Sequence, residues 1–177
     1  RELLSLAGFN VQTVRDPVEL LWGKLVINAA INPLTALLRV PNGELLRKPT
    51  SRSLLGAAAR EAAATAAAQG IDLPYDDPVE AVESVATKTA ENYSSMLQDI
   101  LRGSPTEIDA ISGAVVRAAE SVGLQVPVNR TLWELVSSLE QSESRHSVVE
   151  TALMGRSLKR KTKLRSIYSL KTNNWPL

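Results

Sequence analysis

The sequence predicts an all-α fold, a multi-helix bundle, and three observations carry that expectation. Of its 177 residues 44% are hydrophobic but only 4% are aromatic, so the apolar residues are aliphatic and rich in alanine. That composition favours helices over a β-sandwich or barrel. Apolar residues recur at helical spacing between recognisable start and stop signals, and neither an internal repeat nor a convincing pair of strands interrupts them.

The elements follow in order. Residues 1–16 (RELLSLAGFNVQTVRD) read as a short helical end, a stop at Gly8 and a brief extended piece around 11–14. A first helix opens with Asp16 as N-cap and Pro17 at its first position. Leu20, Leu21, Leu25, Ile27 and Ile31 make it apolar over more than half its circumference, which predicts deep burial. Pro33 lacks an N–H and crowds the preceding turn, so the sequence places a break at Asn32–Pro33. A short segment over 34–39 leads to a Pro41-Asn42-Gly43 turn. A second helix, 51–69, carries AAAREAAATAAA and stops at Gly70. Its small side chains allow neighbouring helices to come close. A third long helix is expected over 78–101, starting at Asp77-Pro78 and ending before Gly103. Ser104-Pro105-Thr106-Glu107 opens a fourth helix that ends near Gly123, and 128–143 forms a fifth. Beyond Arg145 the chain becomes basic, with Arg156, Lys159, Arg160, Lys161, Lys163, Arg165 and Lys171.

Several function classes drop out on composition. A net charge of +1 gives no global excess to recruit nucleic acid or an anionic membrane. The absence of cysteine excludes disulfides, thiol catalysis and thiolate metal sites. The single histidine, His146, argues against a His-rich metal centre or a Ser-His-Asp triad, so no metal site is expected. No apolar run approaches the roughly 20 residues of a membrane span. The chain starts at Arg1 with no signal-type segment.

Three polar features stand out. Lys24, Asn28 and Asn32 lie at i, i+4 and i+8 and share one slowly drifting face of an otherwise apolar helix. Either Lys24 reaches water along its stem while the asparagines bond neighbouring helices, or the stripe is a site. On the expected third helix Asn92 and Ser95 are three apart, with Asp99 one turn on; this reads as polar helix packing or as a ligand face. Ser104 to Glu107 matches a capping box, with Ser104 as N-cap and Glu107 reaching back, a structural role that would by itself account for the glutamate.

Taken together, WGKLVINAAINPLTALLRVPNGEL, ENYSSMLQDI and SPTEIDAISGAVVRAAESVGLQVPVN strongly resemble the C-terminal half of the ketopantoate reductase (2-dehydropantoate 2-reductase) family. The resemblance covers roughly residues 1–143, with the motifs in the family's order. It implies an N-terminal Rossmann domain joined to a helical domain like the C-terminal domain of 6-phosphogluconate dehydrogenase. It also implies NADPH-dependent, cytoplasmic reduction of a 2-keto acid on the route to pantothenate and coenzyme A. Residue by residue, the family's catalytic lysine falls on Lys24. Its substrate-binding asparagines fall on Asn28, Asn32 and Asn42, its carboxylate-holding serine on Ser95 with Asn92 in support, and its nucleotide-contacting glutamate on Glu107. Ser112 is a departure, because many relatives read I-N-G where this chain reads I-S-G; it bears on local packing or a secondary contact.

These residue types suit the chemistry. Hydride attack on a ketone leaves charge on oxygen, which calls for a preorganised cation and a proton donor. Neutral amides and hydroxyls bind the substrate without raising the lysine pKa as a neighbouring carboxylate would. No G-x-G-x-x-G follows a strand anywhere in the chain, so NADPH is expected to be held mainly by a Rossmann domain outside it. The expected organisation is therefore 1–16 as the tail of that domain, 17–144 as the helical substrate-binding and catalytic domain, and 145–177 as a basic extension outside the family pattern. Partners follow as a 2-keto acid, the Rossmann domain and a second copy in a homodimer, with no nucleic acid and no membrane. The competing reading is a non-catalytic helical module for self-association or binding, whose basic tail engages an acidic partner.

Overall fold

The computed structural model of the chain describes residues 17–142. The expected domain tail at 1–16, the end of the last helix and the basic extension 145–177 fall outside the described residues. The elements are α1 (Pro17–Leu38), α2 (Glu44–Arg47), α3 (Pro49–Ala68), α4 (Pro78–Lys88) and α5 (Ser95–Arg102). A π-helical segment (Asp109–Gly113) then runs into α6 (Ala114–Ser121), and α7 covers 127–142. No strand occurs among the described residues.

Helix α1 is the axis of the bundle, with α2, α3, α4, α5 and the π segment packed around it. It does not break at Pro33 as the sequence suggests, but continues through it to Leu38. A proline inside a helix costs about 3 kcal/mol. Every residue from Ala29 to Ala36 is buried, and burying several aliphatic side chains, at roughly 1.5–3 kcal/mol for each large one, outweighs that cost. Thr35 Oγ1 also reaches the carbonyls of Ile31 and Asn32, at 3.1 and 2.9 Å. The helix ends where Arg39 takes a left-handed φ of 55° and the Val40 N–H returns to the Thr35 carbonyl.

By length and composition α1 could cross a bilayer, which corrects the expectation that no such run exists. More than half of that stretch is buried against the other helices, as befits a core helix. Leu20 and Leu21, expected on the buried face, are 44% and 66% exposed. Burial begins only at Gly23, so the first turn of α1 reaches past the helices that cover the rest.

Helix α3 supplies the alanine face foreseen in the sequence. Ala58, Ala59, Ala62 and Ala66 are fully buried beside Leu55, so α3 packs closely on α1 and α4. It starts at Pro49, preceded by the short α2, and Ser51 Oγ ties the two by donating to the Leu45 carbonyl at 2.8 Å. Helix α4 opens as expected, with Asp77 Oδ1 accepting the N–H groups of Val79 and Glu80 at 2.7 and 3.1 Å.

The single third helix expected over 78–101 is in fact two, α4 and α5, separated by residues 89–94. Thr89 Oγ1 bonds back to the Val85 carbonyl at 2.8 Å where α4 ends, and Ser94 is free to cap the helix that follows. Asn92 and Ala90 lend their carbonyls to the turn at residues 42–43. Ser94, extended at φ −59° and ψ 154°, caps α5 by accepting the Leu97 N–H at 3.1 Å. Asn92 and Ser95 are therefore not neighbours on one helical face.

The expected capping box is also replaced. Ser104 closes α5 instead of opening the next helix: Gly103 turns left-handed at φ 66° and the Ser104 N–H bonds the Asp99 carbonyl at 2.9 Å. The next helical stretch is capped by Thr106, whose Oγ1 accepts the Ile108 N–H at 3.1 Å. The Thr106 N–H goes to the Glu140 carboxylate at 2.6 Å, so Glu140 of α7 takes the part assigned to Glu107. Helix α7 is in turn capped from afar. The Glu61 carboxylate of α3 accepts the N–H groups of Val128 and Asn129, at 2.9 and 2.8 Å, and the Asn129 side-chain amide at 2.9 Å. Three donors on one carboxylate at a helix N-terminus combine side-chain capping with the favourable end of the helix dipole.

Candidate functional site

Because α1 is continuous from Pro17 to Leu38, Lys24, Asn28 and Asn32 do share one face. Eight residues at about 1.5 Å each spread the row over about 12 Å. Burial grades along it: Lys24 is exposed, Asn28 half-buried, and Asn32 only 8% exposed. The turn carrying Lys24 is held from outside. Tyr75 donates its hydroxyl to the Gly23 carbonyl at 2.9 Å, and burial pushes the Tyr75 pKa up to about 12. A Cβ on Gly23 would lie 2.7 Å from Pro74 Cγ, so the loop before α4 sits where only glycine leaves room.

The second part of the site is two segments zipped together. The N–H groups of Asn42 and Gly43 donate to the carbonyls of Asn92 and Ala90, both at 3.0 Å. A Cβ on Gly43 would stand 2.7 Å from Ala90 Cβ and 3.0 Å from its Cα, so a glycine is what lets the segments meet. Asn42, 8% exposed, donates Nδ2 to Thr89 Oγ1 at 2.9 Å. The Thr89 proton is already committed to the Val85 carbonyl, so the amide must offer its NH2 here. Its Oδ1 is left buried with no partner. A buried acceptor without a donor costs about 1–3 kcal/mol.

The third part is the start of α5. Buried Ser94 joins it to α1, with 2.7 Å between Ser94 Oγ and Thr35 Oγ1. Ser95 follows as the first residue of α5 with its side chain exposed, and the Asn92 side chain is exposed on the other side of Ser94. The first N–H groups of a helix have no partner within it, so that of Ser95, which is exposed, remains available to an anion.

The structure thus brings Asn32, Asn42, Asn92 and Ser95 together through bonded neighbours, with Asn28 and Lys24 extending the row along α1. Glu107 stands apart. It lies past the C-terminal end of α5, its side chain is exposed, and among the described residues no hydrogen bond joins it to the others. Sequence reasoning missed Thr35, Tyr75, Ser94 and Thr89. Ser94 had a signal, a serine just ahead of the apolar Met96, Leu97 and Ile100. The others bond to residues distant in sequence and had none.

A family model described as ketopantoate reductase PanE/ApbA, C terminal, matches residues 18–140. A 2-dehydropantoate 2-reductase of Archaeoglobus fulgidus is 44% identical over 139 residues, 78% of this chain and 46% of that protein. The crystal structure of a PanE/ApbA family ketopantoate reductase from Ralstonia eutropha superposes with a TM-score of 0.75 at 34% identity, covering 81% of this chain and 48% of that one. D-mandelate dehydrogenase, in its ternary structure with NADH and anilino(oxo)acetate, gives 0.74 at 29% identity, covering 81% and 60%. The chain spans about half the length of the curated relatives it matches. It belongs to the ketopantoate reductase PanE/ApbA family, whose C-terminal helical domain it contains.

Proposed function

We propose that this chain is the substrate-binding half of an NADPH-dependent 2-dehydropantoate 2-reductase, reducing ketopantoate to pantoate in cooperation with an N-terminal Rossmann domain. The observation that carries the reading is the row of Lys24, Asn28 and Asn32 on one continuous face of α1, graded from exposed to buried.

In this reading Ser95 takes the carboxylate through its hydroxyl and its N–H, with Asn92 in support. Asn28, Asn32 and Asn42 orient the hydroxyl and keto groups. Lys24 sets its ammonium against the keto oxygen, lowers the energy of the charge that develops there and gives up one proton to it, leaving an alcohol and a neutral amine. The exposed position of Lys24 lets solvent return that proton. When bound, NADPH supplies the hydride. Glu107 fits a supporting part in holding it, since an exposed carboxylate can accept a hydrogen bond from a nucleotide hydroxyl. The phosphates call for a cradle that this chain does not provide among its motifs.

The test is steady-state NADPH oxidation with ketopantoate by the two-domain protein, with melts of each variant. Lys24→Ala is expected to lower kcat by about 10²–10⁴-fold while melting as the parent does, since an exposed lysine contributes little to folding. A well-folded Lys24→Ala protein with near-normal kcat would sink the assignment and favour a non-catalytic module.

A further inference from the structure

We propose that Thr35 is a positioning residue, whose hydroxyl sets the separation between the N-terminus of α5 and the asparagine row of α1, and with it the span over which the substrate is gripped. This rests on the reading above, in which Ser95 and Asn32 hold different ends of one substrate.

The hydrogen bonds have a direction. Ser94 Oγ accepts the Leu97 N–H at 3.1 Å, which leaves its own proton to give. The proton of Thr35 Oγ1 is shared between the carbonyls of Asn32 and Ile31, at 2.9 and 3.1 Å. The 2.7 Å contact therefore runs from the Ser94 hydroxyl to Thr35 Oγ1. An unbroken relay follows, from the Leu97 N–H through Ser94 and Thr35 to the Asn32 carbonyl. Both of its ends are site elements. Ser94 caps the helix that Ser95 begins, and the relay finishes on the backbone of a candidate asparagine.

Burial gives the relay its stringency. Thr35 is fully buried and Ser94 is 7% exposed, so water does not readily replace either partner and the bonds are electrostatically strong. Met96 and Ile100 of α5 lie in the same apolar core as the buried residues of α1. Such packing holds α5 against α1 but is non-directional and tolerates small shifts. A hydrogen-bond chain with fixed distances and angles does not. An anion-binding helix end displaced by even an ångström loses much of its grip on a bound carboxylate.

The experiment compares Thr35→Val, which keeps the shape and removes the hydroxyl, with Thr35→Ser, which keeps the hydroxyl, and with Ser95→Ala, all in the two-domain protein. KM for ketopantoate, kcat, NADPH affinity and melting temperature are read for each. Thr35→Val is expected to raise KM about tenfold, with a smaller change in kcat and with NADPH affinity unchanged. Thr35→Ser should bring KM back to within about threefold of the parent. Should Thr35→Val fail to fold, Thr35→Cys, whose thiol is a weak partner, replaces it with the same expected rise. A lower melting temperature with parental KM would make Thr35 purely structural and overturn the proposal, as would a Thr35→Ser protein as impaired as Thr35→Val. Ser95→Ala separates the two levels. If it raises KM while Thr35→Val does not, only the positioning role falls; if it leaves KM unchanged, the reading of the site falls and the proposal with it.

Discussion

Gly43 and Gly56 offer the same chemical change with opposite expected signs. At Gly43 an added methyl would land 2.7 Å from Ala90 Cβ and 3.0 Å from Ala90 Cα. The obstacle is backbone and its attached Cβ, neither of which can swing away. Overpacking of this kind costs about 1–3 kcal/mol. Pushing the segments apart also weakens two backbone hydrogen bonds, worth about 0.5–1.5 kcal/mol each. Gly43→Ala should therefore lose about 2–4 kcal/mol, or roughly 6–15 °C in melting temperature for a domain of this size. Gly56, inside α3, would meet only the tip of Arg60 at 3.3 Å and Val79 methyls at 3.4 and 3.6 Å. Removing glycine's excess freedom from a helix interior gains about 0.5–1 kcal/mol, so Gly56→Ala should melt about 2–4 °C higher. Thermal melts of the chain followed by far-UV circular dichroism measure both. A Gly43→Ala protein that melts within about 2 °C of the parent would show that the two segments are not in the contact described, and the account of Asn42 and Asn92 would go with it.

Two further outcomes follow from the packing. Ser112 is fully buried with an unpartnered Oγ, so Ser112→Ala should leave stability unchanged or raise it by up to about 1 kcal/mol; a loss of that size in denaturant unfolding would mean that the hydroxyl has a partner after all. Arg52 and Glu83 pair at 2.6 Å between α3 and α4, and the guanidinium holds the Glu83 carboxyl below the ordinary range. A depressed carboxyl pKa stabilises the fold above its unfolded value and loses that contribution as pH falls through the folded one. The melting gap between the parent and Glu83→Gln should therefore be present at neutral pH and close below about pH 4. It should be modest, because Arg52 is more than half exposed. A gap that stays constant down to strongly acidic pH would refute the pairing.

The features legible in the sequence are those written locally. Asp77-Pro78 opens α4, Gly70 ends α3, and the alanines of α3 line its buried face, each from chemistry within a turn or two of the residue concerned. The same holds for the row Lys24, Asn28, Asn32, which needs only helical periodicity. Misreadings arose where a distant residue settles the local outcome. Pro33 looks like a break until α1 is seen to be covered on several sides, so that leaving the helix forfeits more than proline costs. The split between α4 and α5 depends on carbonyls of Ala90 and Asn92 finding donors in the turn at 42–43. The cap at Thr106 depends on Glu140, 34 residues away. In the site, the amides were legible as a stripe, but the orphaned acceptor of Asn42 and the Thr35–Ser94 bond exist only once the segments are brought together.

The cap that Glu61 places on α7 spans 67 residues of sequence, and this has a consequence for how the domain is made. The start of α7 offers no partner of its own for the N–H groups of Val128 and Asn129; it borrows one from a helix completed much earlier in synthesis. Leu132 and Val136 of α7 are also core residues beside α1 and α3. A nascent chain with α1 to α6 outside the ribosome therefore carries an open flank, with a carboxylate waiting there for two amides not yet translated. Loop closure over such a separation is slow relative to helix formation, so the bundle is latched last, and from its C-terminal end. Dissections that stop before residue 128 remove that latch, and they should give a chain prone to aggregate through its exposed alanine and leucine surfaces in place of a smaller folded domain.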